Sequence, residues 1–145
     1  MAAVQFDAVA GEAEVNRASM ERLLREAAAR GAKLVLFHEN ALADYSLDVR
    51  EQAEPVPEGA TCTRFAALAA ELEVWVGIGL AERAGENVHV TQAYFGPDGY
   101  VGRYRKTWLF RNRGDRRRDE WAHFDPGSGP EETLELAGVR TATLI

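Results

Sequence analysis

Cysteine occurs once in the 145 residues, as Cys62, and a lone thiol closes no internal disulfide and builds no structural zinc site. Histidine is nearly as scarce. His38, His89 and His123 show no metal-ligand spacing, so no metal is expected and each reads as a locally hydrogen-bonded residue. No apolar run approaches the roughly 20 residues that cross a bilayer. Met1-Ala-Ala-Val-Gln-Phe-Asp7 has neither the basic start nor the apolar length of a signal peptide. Positive charge is in deficit, with 17 Lys and Arg against 23 Asp and Glu, which argues against nucleic acid as a general partner. Gly77-Ile-Gly79 lacks the third glycine and the helix of a dinucleotide fingerprint, and reads instead as close-packing points in a strand. These absences describe a cytoplasmic protein with no membrane span and no cofactor.

What is present suits one globular domain over residues 1–145, with 46% hydrophobic and 28% charged residues excluding a disordered tail. Val4 to Phe6 reads as an opening strand. Met20, Leu23, Leu24, Ala27 and Ala28 recur at helical spacing, Glu21 and Arg25 offer an outer i, i+4 pair, and Gly31 ends the helix. Leu34 to Phe37 is a short apolar strand of the kind found in parallel sheets. After a turn at Pro55, Pro57 and Gly59, Cys62, Phe65, Leu68, Ala69 and Leu72 line a second helix, and Val74 to Leu80 is a second buried strand. Val88 to Phe95 and Tyr100 to Tyr104 flank Pro97-Asp-Gly99 as a hairpin. Residues 111 to 131 read as a long polar loop. Leu134 and Leu136 lead into a hairpin at Ala137-Gly138, and Val139 to Ile145 forms the closing strand. The order is that of an α/β protein.

Three residues stand out chemically. Glu39 directly follows an apolar strand, where crevices open in α/β sheets, and a carboxylate losing solvent there approaches the proton affinity of a general base. Residue type alone favours a surface Glu. Lys106 follows Tyr104 and precedes Trp108, and alternation places these three on one side of a strand, with Arg103, Arg105 and Thr107 on the other. Composition alone favours an exposed basic strand, whereas a Lys on the aromatic face reads as more buried than its arginine neighbours, and a buried ammonium requires an anion. Glu120 opens Glu-Trp-Ala-His-Phe-Asp-Pro-Gly127 and by itself reads as half of a solvated pair with Asp119. Cys62 is in step with the apolar stripe of its helix and reads as core. The five arginines from Arg111 to Arg118 read first as a solvated loop, and second as a clamp for a substrate carboxylate.

Glu39, the run Gly102-Arg-Tyr-Arg-Lys-Thr-Trp-Leu-Phe110, the segment from Glu120 to Gly127 and the stretch Gly138-Val-Arg-Thr-Ala-Thr-Leu-Ile145 together resemble the nitrilase superfamily of carbon-nitrogen hydrolases. The resemblance covers the whole chain and the N-terminal portion of that family's domain, an α-β-β-α four-layer sandwich. It implies that Glu39, Lys106 and Glu120 are catalytic and that Lys106 stabilises an oxyanion. It further implies a nucleophilic Cys directly after the strand resembled by Val139 to Ile145, so that the sequence is expected to stop one residue short of it. His38 stands where the family usually has Pro. Tyr45, Trp108 and Arg113 are the expected substrate-binding residues. The implied substrate is a small amide or N-carbamoyl compound, and the implied assembly a homo-oligomer. The rival readings are a non-catalytic binding or assembly module that kept the scaffold, and a half-domain that gains its cysteine from a partner chain.

Overall fold

The computed structural model describes residues 1–116, 119–129 and 133–145. Its first strand, β1 (Ala2–Val4), leads through helix α1 (Ala13–Ala29) to β2 (Leu34–Phe37), and then through a long excursion and helix α2 (Ala60–Leu72) to β3 (Trp75–Ala84). β4 (Asn87–Gly96) and β5 (Gly99–Arg105) complete a five-stranded sheet in the order β1-β2-β3-β4-β5. β1, β2 and β3 run parallel, while β3, β4 and β5 are antiparallel. Parallel neighbours need long crossovers, which α1 and α2 supply, whereas the antiparallel pairs need only short turns. β6 (Leu134–Leu136) and β7 (Val139–Thr141) form a separate two-stranded ladder. No helix among the described residues is long and apolar enough to cross a membrane.

Both helices cover one face of the large sheet. Met20 and Leu24 of α1 and Cys62, Phe65 and Leu68 of α2, all fully buried, pack against Val35, Phe37, Val76, Ile78 and Phe95. Full burial of a side chain such as Phe65 contributes about 1.5–3 kcal/mol. Cys62 is thus the core residue its stripe indicates, and burial first, then the nearby carboxylates of Glu54, Glu82 and Glu58, raise its pKa to about 12. A second cluster, with Val49, Val88, Val90, Leu109 and Phe124, lies apart from the helical core, and Tyr45 and Ile145 pack against it.

Several expectations shift. The first strand lies two residues earlier than Val4 to Phe6, and α1 begins at Ala13, well before its first core residue. Gly31 does end α1, at φ +86°. Glu21 and Arg25 do not pair with each other. Arg64 of α2 forks onto Glu21 at 3.0 and 2.7 Å, and Arg25 forks onto Glu71 at 2.6 and 2.9 Å, because the packed helices present whole carboxylates to guanidinium forks. β3 runs on to Ala84 and turns into β4 at Gly85, φ +64°. The closing strand ends at Thr141 rather than Ile145 and pairs only with β6. Within the polar loop a 3₁₀ turn forms at Glu120–Ala122. Arg117 and Arg118 of the arginine run lie outside the described residues.

Candidate active site

The excursion after β2 crosses the sheet face opposite the helices, and Gly79 makes this possible. A Cβ there would collide with the carbonyl oxygen of His38 and stand 2.5 Å from the amide of Asn40. The Leu42 amide donates to the Gly79 carbonyl at 3.1 Å, tying the crossing to β3. Gly77 and Gly79 are therefore the close-packing points expected of them, the former against the Tyr94 ring. Asn40 and Asp44 take left-handed backbone angles, φ +49° and +50°, and the Asn40 side chain donates to the Asp44 carbonyl at 2.5 Å. From α1 the buried Asn16 donates to Leu42 O at 2.9 Å. Glu39 and Tyr45 stand on a loop held from both sides.

Lys106 is fixed through its backbone: its amide donates to Val90 O at 2.8 Å and its carbonyl accepts from Gly127 at 2.9 Å. Gly127 must be glycine here, since a Cβ would lie 2.5 Å from the Arg105 carbonyl oxygen. One residue earlier, Arg105 forks onto the buried Glu82 at 2.9 and 2.6 Å, with Thr91 Oγ1 donating to the same carboxylate at 2.8 Å and Arg103 at 3.0 Å. Burial would raise the Glu82 carboxyl, but the bonds from Arg105 and Thr91 and the charges of Arg105 and Arg103 outweigh it and hold its pKa below the ordinary value. Glu120 sits on its 3₁₀ turn, where its amide donates to Phe110 O at 3.1 Å and its Oε2 accepts from the Phe110 amide at 2.6 Å.

These segments bring Glu39, Lys106 and Glu120 together. Lys106 Nζ donates to Glu39 Oε1 at 2.7 Å and to Glu120 Oε1 at 2.8 Å. The Tyr45 hydroxyl reaches the same two oxygens, Glu120 Oε1 at 2.7 Å and Glu39 Oε1 at a shorter separation. Burial would depress the Lys106 ammonium, yet its bonds to Glu120 and Glu39 outweigh this and raise its pKa. Burial would likewise raise the Glu120 carboxyl, but Lys106, the Phe110 amide and Tyr45 hold it below the ordinary value. The two acids differ in access. Glu120 uses both oxygens and its side chain is 5% exposed, whereas Glu39 is 28% exposed and no bond to its Oε2 is found among the described residues.

The group borders a cavity of about 640 Å³ lined also by Asp44, Phe110 and Asp115. Tyr45 is in this lining. Trp108 and Arg113 are not: Trp108 is 84% exposed and borders a separate, more apolar hollow with Trp121, Leu134 and Leu144, and Arg113 is exposed. The alternation that grouped Trp108 with Lys106 fails because β5 ends at Arg105. Phe110, Asp44 and Asp115 were not read from the sequence, and no local pattern there distinguishes them. Cys62, in the helical layer, lies outside the cavity lining.

The fold thus sets a lysine clasped by two glutamates at the rim of a cavity on an α/β sheet, and comparison with known proteins gives the family. The chain belongs to the carbon-nitrogen hydrolase family, whose family model matches residues 1–145. It is 30% identical over 149 residues to a nitrilase of Pyrococcus abyssi, covering 100% of this chain and 54% of that protein. It is 35% identical over 133 residues to an N-carbamoylputrescine amidase of Oryza sativa subsp. japonica, covering 88% of this chain and 43% of that protein. An amidase from Nesterenkonia sp. shares the fold with a TM-score of 0.81 at 19% identity, over 98% of this chain and 53% of that chain. The chain thus spans about half the length of these two curated relatives.

Proposed function

We propose that this chain supplies the glutamate, lysine and second glutamate of a hydrolase that cleaves non-peptide carbon-nitrogen bonds in small amides or N-carbamoyl compounds. The nucleophile in this reading is a cysteine that follows Ile145 in a longer protein. The observation that carries it is the clasp of Lys106 between Glu39 and Glu120, with no bond to Glu39 Oε2 among the described residues.

The roles follow from donor and acceptor counts. Glu39 Oε2 takes the thiol proton, and the thiolate attacks the carbonyl carbon. Lys106 carries three N–H donors, of which two hold the glutamates, leaving the third for the oxyanion. When the tetrahedral adduct collapses, Glu39 returns its proton to the departing nitrogen, and the same carboxylate then draws a proton from the water that releases the acyl group. Glu120, with both oxygens occupied, orients Lys106 and touches no substrate. Ile145 packs with Tyr45 on one hydrophobic cluster, which agrees with a nucleophile entering beside the ring.

We further take the protein to be a cytoplasmic homo-oligomer. The free thiol of Cys62 suits a reducing compartment. The exposed Trp108, Phe110 and Leu144 suit burial at an interface. The test is ammonia or amine release from amide and N-carbamoyl substrates by the longer protein carrying that cysteine, with the 145-residue chain inert and Lys106→Ala inactive. Ligand binding without turnover by the longer protein would favour a binding module instead. Hydrolysis by the 145-residue chain, abolished by Cys62→Ala, would overturn the assignment of the nucleophile.

A further inference from the structure

A phenol carries one proton. The Tyr45 hydroxyl nevertheless faces two carboxylate oxygens within hydrogen-bonding reach, Glu39 Oε1 and Glu120 Oε1. It can donate to only one of them at a time. Its oxygen cannot move far between them, because the ring is wedged edge-on against Phe124, centroids 6.3 Å apart, and packs on the cluster containing Val49 and Leu109. Only the hydrogen can turn, about the C–O bond. The hydroxyl is thereby fully engaged by protein groups, and the substrate contact expected of Tyr45 gives way to a different role.

We propose that Tyr45 is a positioning residue whose single O–H alternates between the two glutamates, donating to Glu39 while Glu39 is a carboxylate and to Glu120 once Glu39 has taken the nucleophile's proton. This rests on the hydrolase reading above. The physical reason is acceptor strength: an ionised carboxylate accepts a much stronger hydrogen bond than a neutral carboxylic acid. When Glu39 Oε2 receives the thiol proton, Glu39 Oε1 becomes the weaker acceptor and Glu120 Oε1 the stronger, so the phenol hydrogen turns. When Glu39 gives its proton to the leaving nitrogen, the hydrogen turns back.

No covalent bond to Tyr45 is made or broken in either step, and the proton moved during acylation goes from the thiol to Glu39 to the departing nitrogen. The phenol stays neutral throughout, since burial first, and then the neighbouring charges and bonds of Glu39 and Glu120, disfavour its ionisation. Lys106 holds both glutamates during the exchange, so their oxygens keep their places. The device lets Glu39 serve in turn as base and acid without a second group entering the cavity.

The test is the fluorine resonance of the longer protein carrying 3-fluorotyrosine at position 45, a replacement that keeps the ring and its hydroxyl. Because the hydroxyl hydrogen turns when Glu39 takes a proton, this resonance should shift over the same pH range as the low-pH limb of hydrolysis. In Glu39→Gln, whose side chain is neutral at every pH, it should sit at the low-pH position throughout. A resonance that stays still across the limb, or that moves in Glu39→Gln as it does in the parent, would overturn the proposal, as would a resonance displaced by substrate but not across the limb, which would make Tyr45 a substrate contact. A Glu39→Gln protein that keeps full activity would instead overturn the reading of the site.

Discussion

Arg105 grips Glu82 with both arms of its guanidinium on one side of β5, while the very next side chain, Lys106, leaves on the other side to meet Glu39 and Glu120. The two ion clusters share a backbone and no side chain. Glu82 is 1% exposed, so Glu82→Ala removes the buried carboxylate that Arg103 and Arg105 share. Removing one partner of a buried pair costs about 3–5 kcal/mol, and because both arginines keep some contact with water the lower end applies. Urea unfolding measures it, and a loss below about 1 kcal/mol would contradict the account.

Gly79→Ala places a methyl group against the backbone of His38 and Asn40, which cannot give way as a side-chain end can. The expected cost is about 1–3 kcal/mol, typical of overpacking. The larger effect is on the site, since the loop carrying Glu39 must lift off β3. A crystal structure of the variant should show Glu39 displaced from Lys106, and an undisturbed 2.7 Å bond would sink the prediction.

Stability should fall at both ends of the pH scale, for opposite reasons. Glu82 and Glu120 have depressed pKa values in the folded protein, so their contribution is complete above the ordinary carboxyl value, about 4.3, and is lost as pH falls through the folded values. The raised Lys106 contribution is complete below the ordinary lysine value, about 10.4, and is lost as pH rises through the folded one. Melting temperature against pH should decline on each side of this window. Glu82→Gln should flatten the acid limb and leave the alkaline limb unchanged.

Lys106→Met leaves Glu39 and Glu120 sharing Tyr45 with no cation between them. Like charges so placed do not both ionise, and the pair is expected to keep one proton at neutral pH. Infrared difference spectra should then show a protonated carboxyl band that the parent protein lacks.

Cys62 should be inert. With its pKa raised to about 12 and no exposed surface, it should react with thiol reagents only at the rate of unfolding. Prompt labelling of the native chain would show that the helical layer opens readily.

Much of this arrangement is legible in the chain itself. The stripe from Cys62 to Leu72 gives α2, and Pro97-Asp-Gly99 gives the β4–β5 hairpin that delivers Lys106. The association of Glu39, Lys106 and Glu120 came from local sequences that resemble a family, because residues 67 and 14 apart carry no periodic signal of their contact. Alternation does not carry Trp108 onto the face of Lys106, because it extends only as far as the strand, which ends at Arg105. The Glu82 cluster has no such signal: alternation places Arg103 and Arg105 opposite Lys106, and nothing around Glu82 announces that a carboxylate of β3 is buried beneath them. The cross-helix pairs of Arg25 and Arg64 likewise depend on how two helices meet, which one helical wheel does not contain.

The ring of Tyr45, Glu39, Lys106 and Glu120 spans sequence separations of up to 75 residues and is made by no single hairpin or helix. It closes only after β2 has paired with β3, the loop has crossed Gly79 and the segment ending at Gly127 has docked on β5. Contacts between such distant positions form late and slowly, since loop closure precedes any reward for it. The clasp at this site is therefore a property of the finished fold alone: no partly assembled chain holds Lys106 between both glutamates.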